Sequence, residues 1–310
     1  MSARLRNIAQ HTEKIVATGR YTGPAGRDVS IAAAVAQARD GTRMHGPDPV
    51  PLSQPQLQPA SAAASPVVPG SGSASAPGAG GLATARHTVV EVTGESSLEA
   101  ARRLVVVRDG QGSARGPVAV LNFASARNPG GGFLNGAQAQ EEALCRASAL
   151  YTCLLRAPEY YEHHRAERSA FYSDRVIHSP AVPVFRDDRG ELLDEPFPVG
   201  FLTSPAPNAG VILRRTPELA HLIPAALLSR AERVLEVAAV HGYRRLVLGA
   251  WGCGVFRNDP AVVADAFRTH LTGGRFAGRF DHVVFAVLDR NPDSPARAAF
   301  RAAFPERLPS

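Results

Sequence analysis

The sequence predicts an α/β protein, a three-layer α/β/α sandwich on a mixed sheet with an N-terminal helical extension. Three observations lead there. From His87 onward, short apolar runs of strand length alternate with helical patterns. Two glycine-rich segments directly follow strand candidates, which is where ligand loops gather at the carboxyl ends of strands in open α/β sheets. A Pro/Ser/Ala/Gly-rich stretch separates this pattern from two earlier helical segments.

In the first segment Leu5, Ile8, Ile15 and Val16 fall near one helical face, and Gly19 supplies the stop. Ser30 is the N-cap candidate of a second helix running from Ile31 to Arg39 and ending at Asp40-Gly41. These elements, residues 1–45, are expected to pack on the main domain. Residues 46–86 read as a flexible connection, because stretches such as Gly70-Ser71-Gly72-Ser73 cannot bury enough surface to offset chain entropy. The main domain, 87–310, opens with a strand over His87 to Val92, a helix over Ser96 to Arg103 and a strand over Leu104 to Arg108. Val118 to Phe123 is a buried-strand candidate. A helix follows from Gln140 to about Arg156, where Leu144, Ser148, Tyr151 and Leu155 share a face. Short strands at Arg175–His178 and Val199–Thr203 precede a long helix over Pro217 to His241. Arg245–Gly249 is a strand, Asp259–Leu271 a helix and His282–Leu288 a last strand. No internal repeat is present.

The 310 residues carry a net charge of +6, built on arginine with lysine scarce. That balance favours anionic ligands such as diphosphates, and sequence-specific nucleic-acid binding is not expected. Cys145, Cys153 and Cys253 are odd in number, show no C-x-x-C spacing and occur without a signal-peptide pattern. A reducing cytoplasm is the expected compartment. No apolar run approaches the ~20 residues that span a bilayer, and a soluble monomer is expected.

The chemistry concentrates in Asn128-Pro129-Gly130-Gly131-Gly132, followed after a spacer by Gln140-Glu141-Glu142. Consecutive glycines allow positive φ and bring bare N–H groups against a ligand, while carboxyl groups at a sugar suit acid and base work. Apart, a triple glycine is a flexible turn and two glutamates are the solvated first turn of a helix; together they point to glycoside chemistry beside a phosphate. Adjacent helical residues point ~100° apart, so Glu141 and Glu142 must do different jobs. The second glycine segment, Ala250-Trp251-Gly252-Cys253-Gly254-Val255-Phe256, offers amide donors to a diphosphate, with Phe256 placed to stack on a base or cover a ribose. Cys253 reads as an inert loop thiol, having no local histidine partner. His163-His164 reads as solvated, Tyr160-Tyr161 as packing, and Arg214-Arg215 and Arg244-Arg245 as solvated surface.

The Gly130-Gly131-Gly132, spacer, Gln140-Glu141-Glu142 pattern resembles the signature of poly(ADP-ribose) glycohydrolases, in their compact bacterial type built on a macrodomain. Supporting stretches are Ser179 to Asp187, Thr203 to Gly210 and Gly249 to Asn258, and the resemblance spans Met1 to Arg43 and about His87 to the end. It implies a macrodomain-like fold and hydrolysis of the ribose-to-ribose O-glycosidic bond of poly(ADP-ribose) or ADP-ribosylated proteins, with ADP-ribose as product. Glu142 would be the catalytic acid, and Glu141 would hydrogen-bond ribose hydroxyls. Asn128 would hold the terminal ribose, and Gln140 at the helix entry would also bind substrate. Amides around Gly130, Gly131 and Gly132, and from Gly252 through Cys253 and Gly254 to Val255, would embrace the diphosphate. Phe256 would pack on the adenosine or ribose side. Neither a metal nor a nicotinamide cofactor is implied. A non-catalytic ADP-ribose reader and a mono-ADP-ribosyl hydrolase are the alternatives.

Overall fold

The computed structural model describes residues 2–52, 88–106, 116–289, 291 and 293–305. Of the expected connection over 46–86, residues 53–86 lie outside the described residues. The chain opens with α1 (Ala3–Thr18), capped by the Ser2 hydroxyl and closed by Gly19 in the left-handed region at φ 68°. Strands β1 (Arg20–Thr22) and β2 (Asp28–Ser30) form a small hairpin, then α2 (Ala32–Gly41) and β3 (Arg43–His45) follow. Ser30 is therefore not the N-cap of α2: it pairs with Arg20 at the end of β2, and Ile31 takes the cap position with no side-chain bond.

The main body continues with β4 (Val89–Thr93), α3 (Ser97–Val106), β5 (Val118–Phe123), α4 (Gln140–Ala147), α5 (Leu150–Leu154) and α6 (Pro158–Ala166). Next come β6 (Val176–Arg186), β7 (Leu192–Ser204), α7 (Ala209–Arg215), α8 (Ile223–Val240), β8 (Arg245–Leu248), α9 (Pro260–Thr272), β9 (His282–Ala286) and α10 (Pro295–Ala303). Among the described residues the main sheet has seven strands in the order β3-β6-β7-β5-β8-β9-β4. Pairing is antiparallel in β3/β6 and β6/β7 and parallel from β7 through β5, β8 and β9 to β4.

The sheet lies between two helical layers. On β5, Val118 and Val120 join the core beneath α1 to α6, whereas Ala119 and Leu121 join the core beneath α8, α9 and α10. A strand covered on both faces reads as an unbroken apolar run, which is why this one stands out in the sequence. The expected three-layer, macrodomain-like sandwich with a mixed sheet is the observed fold. The first layer is also stitched laterally, since the buried Thr12 hydroxyl of α1 donates to the Arg146 carbonyl of α4 at 2.7 Å.

Four element expectations need correction. Leu104 to Val106 ends α3 instead of forming a strand, because Leu98, Ala101 and Leu104 share one buried helical face; residues 107 and 108 lie outside the described residues. The helix expected from Gln140 to Arg156 breaks at Ser148, whose hydroxyl donates to the Leu144 carbonyl at 2.7 Å while its backbone bridges to Val184. The long helix expected from Pro217 starts as a 3-10 turn over Pro217–Leu222 and becomes α8 at Ile223. The two short strands expected around 176 and 200 are the ends of a long β6–β7 hairpin. Among the described residues no helix is long and apolar enough to cross a membrane.

Candidate active site

The parallel strands β5, β7, β8 and β9 end at the same edge of the sheet, and both glycine segments leave from it. After β5 the chain turns through Gly130 and Gly131 at φ 65° and 57°, a conformation that glycine adopts without strain. The turn closes when Gly131 N–H donates to the Asn128 carbonyl at 2.9 Å and Phe133 N–H to the Gly130 carbonyl at 3.0 Å. Space demands glycine as well as φ does. A Cβ on Gly131 would sit 2.5 Å from Glu142 Oε1 and 3.2 Å from Glu141 Oε2.

Both glutamates lie in the first turn of α4, and both are buried, Glu141 at 2% and Glu142 at 8% exposure. Gly132 N–H donates to Glu142 Oε1 at 2.8 Å, whereas Glu142 Oε2 has no partner among the described residues. Glu141 is held on both oxygens: Ser125 N–H donates to Oε2 at 2.7 Å and Asn122 Nδ2 to Oε1 at 3.2 Å. Burial pushes the Glu141 carboxyl up to about 8 against these donors, and the neighbouring Glu142 adds to the rise. The two side chains are thus chemically distinct, one with both oxygens engaged and one with an oxygen free.

Gln140 is spent on the scaffold. Its Oε1 accepts from Phe123 N–H at 2.8 Å, and its Nε2 donates to the Leu121 carbonyl at 2.8 Å and to Ser97 Oγ at 3.1 Å. It locks α4 to the end of β5. Asn128 is exposed, with its side chain at the edge of the cavity.

The second segment follows β8. Gly252 is at φ 70° with Ala206 Cβ 2.5 Å from where its own Cβ would stand, whereas nothing lies within 4 Å of a Cβ on Gly254. Cys253 N–H is used within the turn on the Ala250 carbonyl at 3.1 Å, and burial, with Asp259 adding, raises its thiol to about 12, as suits an inert loop thiol. No acceptor among the described residues takes the N–H groups of Gly254, Val255 and Phe256. Val255 is 78% exposed at the rim.

Between the two segments lies a cavity of about 540 Å³, walled by Glu141, Glu142, Asn128, Gly252, Gly254, Val255 and Phe256. It runs into a second hollow of about 460 Å³ through the shared residues Phe123, Ala139, Gln140, Ala250 and Gly254. Together they form a trough of a size suited to an extended small molecule. The first glycine turn does not match its expected use as a diphosphate cradle: Gly131 N–H goes to Asn128 and Gly132 N–H to Glu142, so these amides hold the turn and the carboxylate.

A family model of the microbial-type PARG catalytic domain matches residues 9–187. The chain belongs to the microbial-type PARG family. A poly(ADP-ribose) glycohydrolase structure from Thermomonospora curvata is 48% identical, with a TM-score of 0.78, over 98% of this chain and 100% of that one. The same figures describe that enzyme bound to the inhibitor ADP-HPD. The Deinococcus radiodurans enzyme in complex with ADP-ribose is 42% identical, with a TM-score of 0.69, over 87% of this chain and 96% of that one. No curated protein matches.

In this PARG family member the trough also takes residues that the sequence did not single out. Tyr172 lines it, 5.9 Å ring to ring from Phe256, and holds φ at 58°, a strained value for a tyrosine. Its loop is pinned by Asp174, which takes Arg230 Nε at 3.0 Å, and by Asn208 N–H donating to the Ala170 carbonyl at 2.8 Å. The Arg127 guanidinium lies 5.7 Å from the Tyr172 ring centre. No local pattern marks Tyr172, because the loop has neither period nor motif. Asn122 did carry a signal: a polar side chain inside an apolar strand run.

Two plain readings also change. His164 is fully buried, with Nδ1 2.8 Å from the Tyr160 carbonyl and Nε2 2.8 Å from Ser173 Oγ, and burial lowers it to about 4. Arg245 is buried, donating to the carbonyls of Leu104 and Gly116, because it lies in β8 on the face that α3 covers, whereas Arg244, just before the strand, stays at the surface with Asp281. Tyr160 and Tyr161 are packed, as expected.

Proposed function

We propose that Glu142 is the proton donor and Glu141 the ribose-positioning carboxylate of this poly(ADP-ribose) glycohydrolase. The enzyme class follows from family membership; the assignment of roles rests on geometry. Its main support is that Glu142 Oε1 is fixed by Gly132 N–H while Oε2 is unpartnered, whereas both Glu141 oxygens already accept N–H donors. A general acid needs an oxygen free to present its proton to the leaving group.

In the reaction the terminal ADP-ribose unit lies along the trough, with its diphosphate against the Gly254, Val255 and Phe256 amides and its terminal ribose between Asn128 and Glu141. Glu142 gives its proton to the bridging oxygen as the anomeric C–O bond breaks, and positive charge develops on the ring carbon. The carboxylate left behind takes a proton from the water that attacks that carbon. ADP-ribose leaves with a new anomeric hydroxyl, and Glu142 is protonated again. Phe256 and Tyr172 enclose the ligand and limit water.

Residues 1–45 read as an extension packed on a catalytic domain over 87–310, supported by the Thr12–Arg146 bond and by β3 pairing with β6. A cytoplasmic monomer is the further reading; all three cysteines are free, which suits a reducing compartment.

Product analysis on poly(ADP-ribose) tests the assignment. Glu142→Gln should lose ~10²- to 10⁴-fold in turnover while still binding ADP-ribose. Retained turnover in that variant removes Glu142 from the acid role.

A further inference from the structure

Asn122 stands where the alternation of β5 calls for an aliphatic side chain. It is fully buried, and strand register places it beside Thr203 of β7. Its Nδ2 spends both protons, one on Glu141 Oε1 at 3.2 Å and one on Thr203 Oγ1 at 3.1 Å. Oδ1 has no partner among the described residues. Chemistry sets the orientation of the amide, since the flipped form would press a carbonyl oxygen against a carboxylate oxygen. An unpaired buried acceptor costs stability, so valine would serve the strand better. What valine lacks is an N–H aimed at Glu141.

Resting on the reading that Glu141 binds ribose hydroxyls, we propose that Asn122 is a positioning residue that turns the Glu141 carboxyl toward the sugar and eases its ionisation. The surroundings of Glu141 otherwise oppose ionisation. Its titratable neighbours are Glu142 and Cys145 on its own helix and Tyr160 and Tyr161 on α6, and each is neutral or negative. Burial pushes the carboxyl upward; the donors that resist are Ser125 N–H, the Asn122 amide and Gly130 N–H. Of these, the Asn122 amide alone is a side chain, so it can be removed without rebuilding the loop.

The test is a carboxyl ¹³C titration of the full-length protein labelled at glutamate, with Glu141→Gln identifying the resonance. Asn122→Leu should raise the Glu141 midpoint by about one pH unit, and Asn122→Asp should raise it further by placing a second carboxylate alongside. ADP-ribose affinity in Asn122→Leu should fall ~10-fold at neutral pH and recover at alkaline pH as Glu141 ionises. An unmoved midpoint, or an affinity loss equal at every pH, overturns the proposal. If the leucine variant does not fold, Asn122→Ser removes the same amide N–H without burying an aliphatic group beside the carboxyl and is held to the same midpoint criterion. The resonance is read without turnover, so a failed acid assignment for Glu142 and a failed role for Asn122 give different results.

Discussion

The two glycine segments are alike in composition and opposite in use. In the first, the amides turn inward: Gly132 N–H holds Glu142, Gly131 N–H holds Asn128, and a side chain at Gly131 would collide with both carboxylates. In the second, the amides of Gly254, Val255 and Phe256, residues that line the trough, have no protein acceptor among the described residues, and a Cβ on Gly254 would meet nothing within 4 Å. One segment spends its amides on a glutamate and on its own turn, and the other leaves three of its amides unpaired among the described residues. Glycine content marks a close backbone approach without saying whether the approaching group belongs to the protein or to the substrate.

Substitutions that add a single methyl group test this contrast. Gly131→Ala should have the largest effect, at least ~100-fold in turnover, because the methyl displaces the Glu142 carboxylate and even a small misplacement of a catalytic group is severe. Steady-state kinetics on the polymer would check it, and near-normal turnover would mean that the first turn does not hold the acid. In the second segment Gly252→Ala should instead unfold the protein more easily, by about 1–3 kcal/mol, through its positive φ and the Ala206 contact. Gly254→Ala should change stability by less than ~0.5 kcal/mol. Denaturant midpoints would rank the pair, and equal values would end the distinction drawn between these two glycines.

The electrostatic side of the contrast can be sharpened by pH. The Glu141 carboxyl is raised from 4.5 to about 8 in the folded chain, so across that window the folded state holds a proton that the unfolded state has released. Stability from this source is complete below pH ~4.5 and is lost as pH rises through about 8. Melting temperatures of the wild type and Glu141→Gln, compared at pH 5 and pH 8.5, should show the wild type falling more steeply. Parallel slopes would mean that Glu141 is already ionised at pH 5.

Much of the site was legible because its signals are local. A doubly covered strand reads as an unbroken apolar run, glycines punctuate the strand ends, and paired glutamates follow at a helix start, all within Val118 to Glu142. Errors arose where a tertiary contact overrode a local pattern. Ser148 ends its helix because β6 lies alongside, and Arg245 is buried because α3 covers its face of the sheet and the carbonyls of Leu104 and Gly116 accept from it.

The sequence alone determined the layer order, the two glycine loops and the glutamate pair that follows the first of them, since periodicity and motif are properties of neighbouring positions. Only the tertiary structure decided which amides serve a glutamate and which stay unpaired among the described residues, that Gln140 is spent on β5, and that Tyr172 lies beside Phe256 in the trough. Those facts depend on distances between segments far apart in the chain. Such distances are settled by how strands pair and helices pack, and no run of adjacent residues contains them.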